Sequence, residues 1–295
     1  MSSVIVTGAS GFIGTALVKS LRRAGHEVIP LDHGRGDVAT AEYWRSLPPA
    51  NHLVHLAGRS FVPDSWTSPS EFIATNATGT ARAVEYCGTA GAHLVFVSAY
   101  IYGVPQRLPI AEDHPVAPNN PYALSKALAE RICRFHADVA RLPVTIVRPF
   151  NIFGPGQRPE FLIATIFEQI SRGAQIRVKD LSPGRDYLFV DDFVGGLGRT
   201  LAAPGGLRVF NLGSGASYTV KDIIELAQAA AGSSLPVTCD DEQRANEIPD
   251  VRADIGQARR LLGWEPRFSF LDGLRLTFRS AHGPRMSKDI KEATP

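Results

Sequence analysis

Short apolar runs alternate with amphipathic stretches through the first half of the chain, and this alternation limits the fold more than any other feature. The runs at 4–7, 27–31, 52–57, 93–97 and 144–147 are brief, rich in β-branched residues and bounded by turn residues. That is the pattern of strands buried on both faces. Between them, Phe12, Ile13, Ala16, Leu17 and Leu21 recur at helical spacing over 12–23, and two longer helices are predicted over 69–87 and 121–140. Strand–helix alternation builds a doubly wound parallel sheet with right-handed crossovers and helices on both faces.

The texture changes after residue 150, where Phe150-Asn-Ile-Phe-Gly-Pro-Gly156 is rich in turn residues. Shorter elements follow: helices near 160–172, from Val190, near 219–231 and near 255–262, with strands at 175–178 and 208–212. This pattern predicts a smaller α/β lobe interleaved with the first sheet. Residues 1–150, with segments near 184–212 returning to them, form the first domain. Residues 151–183 and 213–282 form the second lobe, and 283–295 a loose polar tail.

Composition excludes several classes. With 44% apolar and 20% charged residues in 295, the chain can bury a sizeable core. Its 31 basic and 29 acidic residues leave a net charge of +2 and form no basic block, so no nucleic-acid partner is expected. No apolar stretch approaches the ~18 residues of a membrane span. The N-terminus enters a strand without the pattern of a secretory signal. Cys87, Cys133 and Cys239 are scattered and odd in number, which fits a reducing cytoplasm and gives neither a disulfide framework nor a metal site.

Thr7-Gly8-Ala-Ser-Gly11-Phe-Ile-Gly14 follows the first strand and opens the first helix. Glycines there allow a tight turn and close approach of a pyrophosphate, which the helix N-terminus attracts through free N–H groups. The spacing is G-x-x-G-x-x-G. This placement marks the first domain as a Rossmann-type, NAD(P)-binding one. Asp32, at the end of the second strand, suits the ribose hydroxyls of NAD(H), which is favoured. Arg35, three residues on, suits the 2′-phosphate of NADP(H), which stays possible. Asp37 and Val38 are placed to meet the adenine, and Leu56-Ala-Gly58 supplies small residues where a cofactor crosses the sheet. His55 reads as a packed strand residue.

Tyr122 and Lys126 stand four apart on a predicted helix and share a face. A phenol titrates near 10, so a neighbouring ammonium is needed to bring it toward neutrality. Ser98, at the end of the fourth strand, supplies a third member where such sheets present ligands.

Together these residues resemble the extended short-chain dehydrogenase/reductases, the NAD-dependent epimerases and dehydratases of nucleotide sugars. The likeness also rests on His55-Leu-Ala-Gly58, Asn76-Ala-Thr-Gly-Thr80, Ser98-Ala-Tyr-Ile-Tyr-Gly103, Arg148-Pro-Phe-Asn151 through Gln157, Arg185-Asp-Tyr-Leu-Phe-Val-Asp-Asp192, Phe210-Asn-Leu-Gly-Ser-Gly215 and Leu261-Leu-Gly-Trp-Glu-Pro266. The resemblance implies that Ser98, Tyr122 and Lys126 are catalytic. It implies cofactor contacts by Gly8, Gly11, Phe12, Ile13, Gly14, Asp32, Arg35, Asp37, Val38, Leu56, Ala57, Gly58, Asn76, Tyr122, Lys126 and Pro149. Asn151, Arg185 and Arg244 match its diphosphate-contacting positions, where guanidinium forks suit phosphate oxygens. Ser98 and Tyr100 would face the sugar, and Glu160, Phe161, Ile176 and Val178 the base.

Within that family, 4,6-dehydratases carry an Asp–Glu pair where this chain has Ala99 and Tyr100, and 3,5-epimerases a cysteine at Tyr100. Both are disfavoured. The leading expectation is an NDP-4-keto-6-deoxyhexose 4-reductase, with similarity to enzymes acting on GDP- and on CDP-linked sugars. A UDP-hexose 4-epimerase (glucose/galactose or N-acetyl) is the alternative, and a non-catalytic nucleotide-binding protein the remote third. The expected partners are a nucleotide-sugar substrate and a second copy of the chain. The family's dimer contact falls on the two long helices, where Val84, Leu128, Ile132 and Phe135 lie on apolar stripes.

Overall fold

The computed structural model describes residues 1–203, 205–242 and 247–282. Six parallel strands form the central sheet: β1 (Ser3–Thr7), β2 (Glu27–Leu31), β3 (His52–His55), β4 (His93–Val97), β5 (Val144–Pro149) and a sixth, Leu207–Leu212. Their spatial order is sixth–β5–β4–β3–β1–β2. The order reverses at β1, with β2 on one side and β3 on the other. The crevice beyond the carboxyl ends of β1 and β3 is therefore the topological switch point, where such sheets bind ligands. The late strand pairs with β5 in register, Leu207 opposite Val144 and Leu212 opposite Pro149, so the chain returns to the first sheet after visiting the second lobe.

Alternation along the strands decides which side chains meet which helices. Val4 and Val6 join Leu17 and Leu21 of α1 (Phe12–Arg23) and Phe193 and Leu197 of the helix Val190–Thr200. Ile5 joins Leu53, Leu94 and Phe96 beneath Val84, Ala129 and Cys133 on the other face. Each fully buried aliphatic or aromatic side chain contributes about 1.5–3 kcal/mol. Covered faces explain why the strands read as continuous apolar runs.

The predicted helix over 69–87 is interrupted. Segments Pro69–Ile73 and Gly79–Ala90 are joined by a wider π-type turn at Ala74–Thr78. Asn76 lies in it, fully buried, and such turns recur at functional sites. β3 is also shorter than predicted. Beyond His55 the chain leaves the ladder to pass over the glycine turn, where Ala57 N donates to Thr7 Oγ1 (3.2 Å).

Beyond the central sheet, the described residues form three two-stranded pairs: Asn151–Phe153 with Tyr187–Phe189, Ile176–Val178 with Val237–Cys239, and Gly184–Arg185 with Tyr218–Thr219. Residues 184–189, expected with the first domain, thus pair with second-lobe strands, and the return to the first sheet begins after them. A further helix, Phe270–His282, was not anticipated from the sequence. The polar tail expected over 283–295 lies outside the described residues.

Candidate active site

The glycine turn sits at the switch point, and sterics account for its composition. Gly8 has φ +67°, and a Cβ there would lie 2.9 Å from Ala57 N. A Cβ on Gly14 would lie 2.1 Å from Gly8 O, so α1 starts directly against the turn. Gly11 caps α1 without a side chain, which leaves the first-turn N–H groups for an anion. Phe12 and Ile13 form that first turn.

At the end of β2, Asp32 Oδ1 accepts from Gly34 N (2.9 Å) and caps the turn His33–Arg35. Arg35 is held by two backbone carbonyls, Nε to Tyr43 O and an Nη to Arg45 O, both at 2.5 Å. Asp37 Oδ1 accepts from Ala39 N (2.9 Å), and buried Val38 packs against Gly79, where a Cβ would lie 2.8 Å from Val38 Cγ1. Next to the turn, His55 is fully buried, its Nδ1 2.8 Å from Thr7 Oγ1. Burial lowers its pKa to about 3, so it stays neutral, as expected of a packed strand residue.

The long helix Pro121–Val139 carries the tyrosine and the lysine. Asn120 caps it by accepting from Ala123 N (2.8 Å), with Pro121 at the first helical position. Tyr122 packs with Ala123 and Ala127 against Ala99 and Ile101, the segment that follows Ser98, and edge-on against Phe72. One turn on, Lys126 is buried, donates to Val97 O (2.9 Å) and lies 5.0 Å from the centre of the Phe96 ring. Its ammonium is therefore fixed at the peptide preceding Ser98. Burial lowers its pKa to about 8. The Ser98 hydroxyl is buried and has no partner among the described residues.

Lys126 also meets the loop after β3. A Cβ on Gly58 would lie 3.4 Å from Lys126 Nζ and 2.8 Å from Asn76 Oδ1. Asn76 clamps that loop from both sides: its Oδ1 accepts from Arg59 N (2.8 Å) and its Nδ2 donates to Arg59 O (3.0 Å). The same Nδ2 reaches Ser125 Oγ (2.8 Å), which donates to Tyr122 O (2.7 Å). Asn76 thus holds the loop at Gly58 and Arg59 against the first turn of the long helix. Leu56 and Ala57 complete that loop, and Pro149 ends β5.

Burial raises the pKa of the Tyr122 phenol above its usual value, while the Lys126 ammonium is bonded to Val97 O.

Beside Ser98, Tyr100 donates to Gly103 O (2.6 Å) and packs edge-on against Phe150. The site thus has an aromatic wall and no carboxylate at 99 or 100. On the second lobe, Asn151 Nδ2 donates to Asp186 O (3.0 Å). Arg185 donates through one Nη to Gly184 O (2.7 Å) and Ile248 O (2.6 Å), and through the other to Glu247. Glu160 is paired with Arg158 (3.1 Å), and Phe161 meets Phe61.

Ile176 and Val178, expected to face a base, are instead packed into the apolar core at 0% and 9% exposure, so their side chains have no surface to offer a ligand. Val84 is likewise 1% exposed beneath its own helix and cannot serve a dimer face. Arg244 lies outside the described residues. The sequence reading missed Arg148 and Glu130 as a buried pair. Arg148 Nε and Nη2 grip both Glu130 oxygens at 2.8 and 2.7 Å, and its other Nη donates to Tyr102 Oη (2.9 Å) and Glu112 O (3.1 Å). The signal was present, because an Arg inside a run as apolar as β5 requires a carboxylate partner.

Residues 4–213 match the family described as NAD dependent epimerase/dehydratase. The chain belongs to that family. It is 32% identical over 290 residues to the GDP-6-deoxy-D-mannose reductase of Pseudomonas aeruginosa, covering 92% of this chain and 94% of that one. Against the UDP-glucose 4-epimerase of Mycolicibacterium smegmatis it is 31% identical over 307 residues, covering 92% and 96%. The solved structure of RMD from Pseudomonas aeruginosa complexed with NADPH superposes with a TM-score of 0.88 at 29% identity, covering 95% of this chain and 99% of that one. The family members are NAD-dependent epimerases, reductases and dehydratases. Among the described residues no helix is long and apolar enough to cross a membrane, and no group of three or more His, Cys, Asp or Glu is arranged to hold a metal ion.

Proposed function

We propose that this family member is an NDP-4-keto-6-deoxyhexose 4-reductase. One observation carries the reading: the reacting position at Ser98 and Tyr122 is flanked by Ala99 and the Tyr100 ring, so it can move one proton but offers no second acid–base pair. That argues against dehydration. The similarity to a GDP-6-deoxy-D-mannose reductase favours reduction.

The residues fit a dinucleotide. The cradle at Gly8 and Gly14 has no room for side chains, and Asp32 keeps one oxygen free for a ribose hydroxyl. NAD(H) is favoured because Arg35 is already committed to two carbonyls, and NADP(H) stays possible because a neighbour was solved with NADPH. When bound, the nicotinamide supplies a hydride for the sugar carbon. Ser98 Oγ, buried and unmatched, donates to the C4 oxygen and steadies its growing charge. Tyr122 gives that oxygen its proton. Lys126 has two ammonium hydrogens left beyond the Val97 bond, enough to hold a ribose and to stabilise the phenolate left behind. Arg185 exchanges its protein acceptors for diphosphate oxygens.

Oxidation of NADH or NADPH, followed at 340 nm with GDP-, CDP- and dTDP-linked 4-keto-6-deoxyhexoses, tests the reading; turnover with at least one is expected. Silence with all three, together with interconversion of UDP-glucose and UDP-galactose without added reductant, would establish the epimerase instead. We also infer a homodimer through the long helix. Leu124, Leu128, Phe135 and Val139 are 37–67% exposed along its outer side. Phe135→Glu should halve the mass seen by light scattering.

A further inference from the structure

The segment between strand Asn151–Phe153 and helix Leu162–Arg172 crosses the crevice at the switch point. Its near end follows strand Asn151–Phe153 of the second lobe and passes close to the helix Val190–Thr200: Gly154 has φ +151°, and a Cβ there would sit 2.6 Å from Val190 Cγ1. From there it reaches two points on the first lobe. Gly156 faces the glycine turn, where a Cβ would lie 4.0 Å from Phe12 Cδ2. At the far end Phe161 meets Phe61, on the loop after β3, edge to face at 5.9 Å and 75°. Arg158 lies over the same Phe61 ring at 5.5 Å, with Glu160 paired to its guanidinium. Those two first-lobe contacts belong to the first turn of α1 and the loop after β3, which flank the ligand crevice.

A second observation concerns a buried acceptor within this segment. Gln157 Nε2 donates to Ile152 O (2.9 Å), yet its Oε1 is buried with no partner. A buried acceptor left unmatched is unfavourable, and a donor brought by a ligand would relieve it. The contacts that hold the crossing in place are of the kind that part readily: one aromatic pair and one cation over a ring, with Arg158 half-exposed.

We propose that residues 154–161 are a strap that closes over the bound nucleotide sugar, latched to the first lobe by Phe61 and Phe161, with Gln157 Oε1 accepting a hydrogen bond from the ligand. The proposal rests on the nucleotide-sugar reading above. Phe61 and Phe161 are positioning residues here, since the latch they form sets how long the sugar stays rather than what happens to it.

Hydrogen exchange read by mass spectrometry on the full chain tests it, with GDP-mannose, UDP-glucose and dTDP-glucose as probes. Phe61→Ala, a change in the first lobe, is expected to speed exchange of the 155–161 amides at least five-fold. Phe61→Leu should do so less. In the unaltered protein the probe that binds should slow exchange in the same amides, and Gln157→Leu should weaken that probe at least ten-fold while NADH affinity stays within two-fold. Unchanged exchange at 155–161 in a folded Phe61→Ala protein overturns the latch. Protection around Arg185 without protection of 155–161 overturns the strap and leaves the nucleotide-sugar reading standing. Protection nowhere, with any probe, brings down that reading and the strap with it.

Discussion

The two sides of the crevice are built differently. On the first lobe several candidate groups are held by backbone or by the ends of regular elements. Lys126 is fixed to Val97 O, Asn76 grips both sides of Arg59, and Asn120 caps the helix that carries Tyr122. On the second lobe the candidates sit on strands of two or three residues and on loops. Their charges are matched by neighbouring side chains, Arg185 with Glu247 and Arg158 with Glu160. The first arrangement fixes atoms where a proton must move. The second can be reset by a few substitutions.

The contrast can be broken at several points. The largest effect is expected at Tyr122, where Phe should lower kcat about 10²–10⁴-fold, as loss of a positioned proton donor does, with KM little changed. Steady-state kinetics with the turned-over sugar would show it. Next comes the buried pair beneath the site. Arg148→Met leaves buried Glu130 with only the longer, partly exposed Arg134 contact (3.6 Å) among the described residues and should cost about 3–5 kcal/mol in urea denaturation, whereas adding Glu130→Leu should restore most of it.

Lys126 should show the tension between function and stability. Its native pKa, about 8, lies below the ordinary 10.5, so the folded protein holds this proton less tightly than the unfolded chain. The unfolded state binds more protons between those values, and stability rises with pH across that window. Lys126→Met should therefore be inactive yet more stable at pH 7, by up to about 3 kcal/mol for a shift of this size. That advantage should shrink as the pH passes 8, which thermal melts at several pH values would reveal. The smallest effect is expected at Arg185, on the mutable side. Arg185→Ala should raise KM for the nucleotide sugar about 10- to 100-fold with kcat kept, the equivalent of a charged hydrogen bond of about 1.5–3 kcal/mol. A fall in kcat instead would place Arg185 with the fixed machinery.

The same contrast divides what could be read from the sequence. The sheet and its helices were legible because long periodic segments bury predictable faces, and the turn at Gly8–Gly14 because close approach demands glycine. The π-type turn at Asn76 was not, since its cause is a side chain that bonds to a loop distant in sequence. In the second lobe, Ile176 and Val178 looked available only because a three-residue strand gives too little periodicity to say which side faces the core. The helix Phe270–His282 did carry a signal: Ser269 and Asp272 form the S-x-x-D start, bonded at 2.6 Å.

Arg148 and Glu130 join β5 to the middle of the long helix with two short bonds inside the core. Sliding that helix against the sheet would pull two opposite charges apart where no water can reach them. The phenol and the ammonium near its start are therefore riveted to the same slab as the Ser98 hydroxyl. Whatever travel is needed to admit a sugar and let it go falls to the other wall of the crevice.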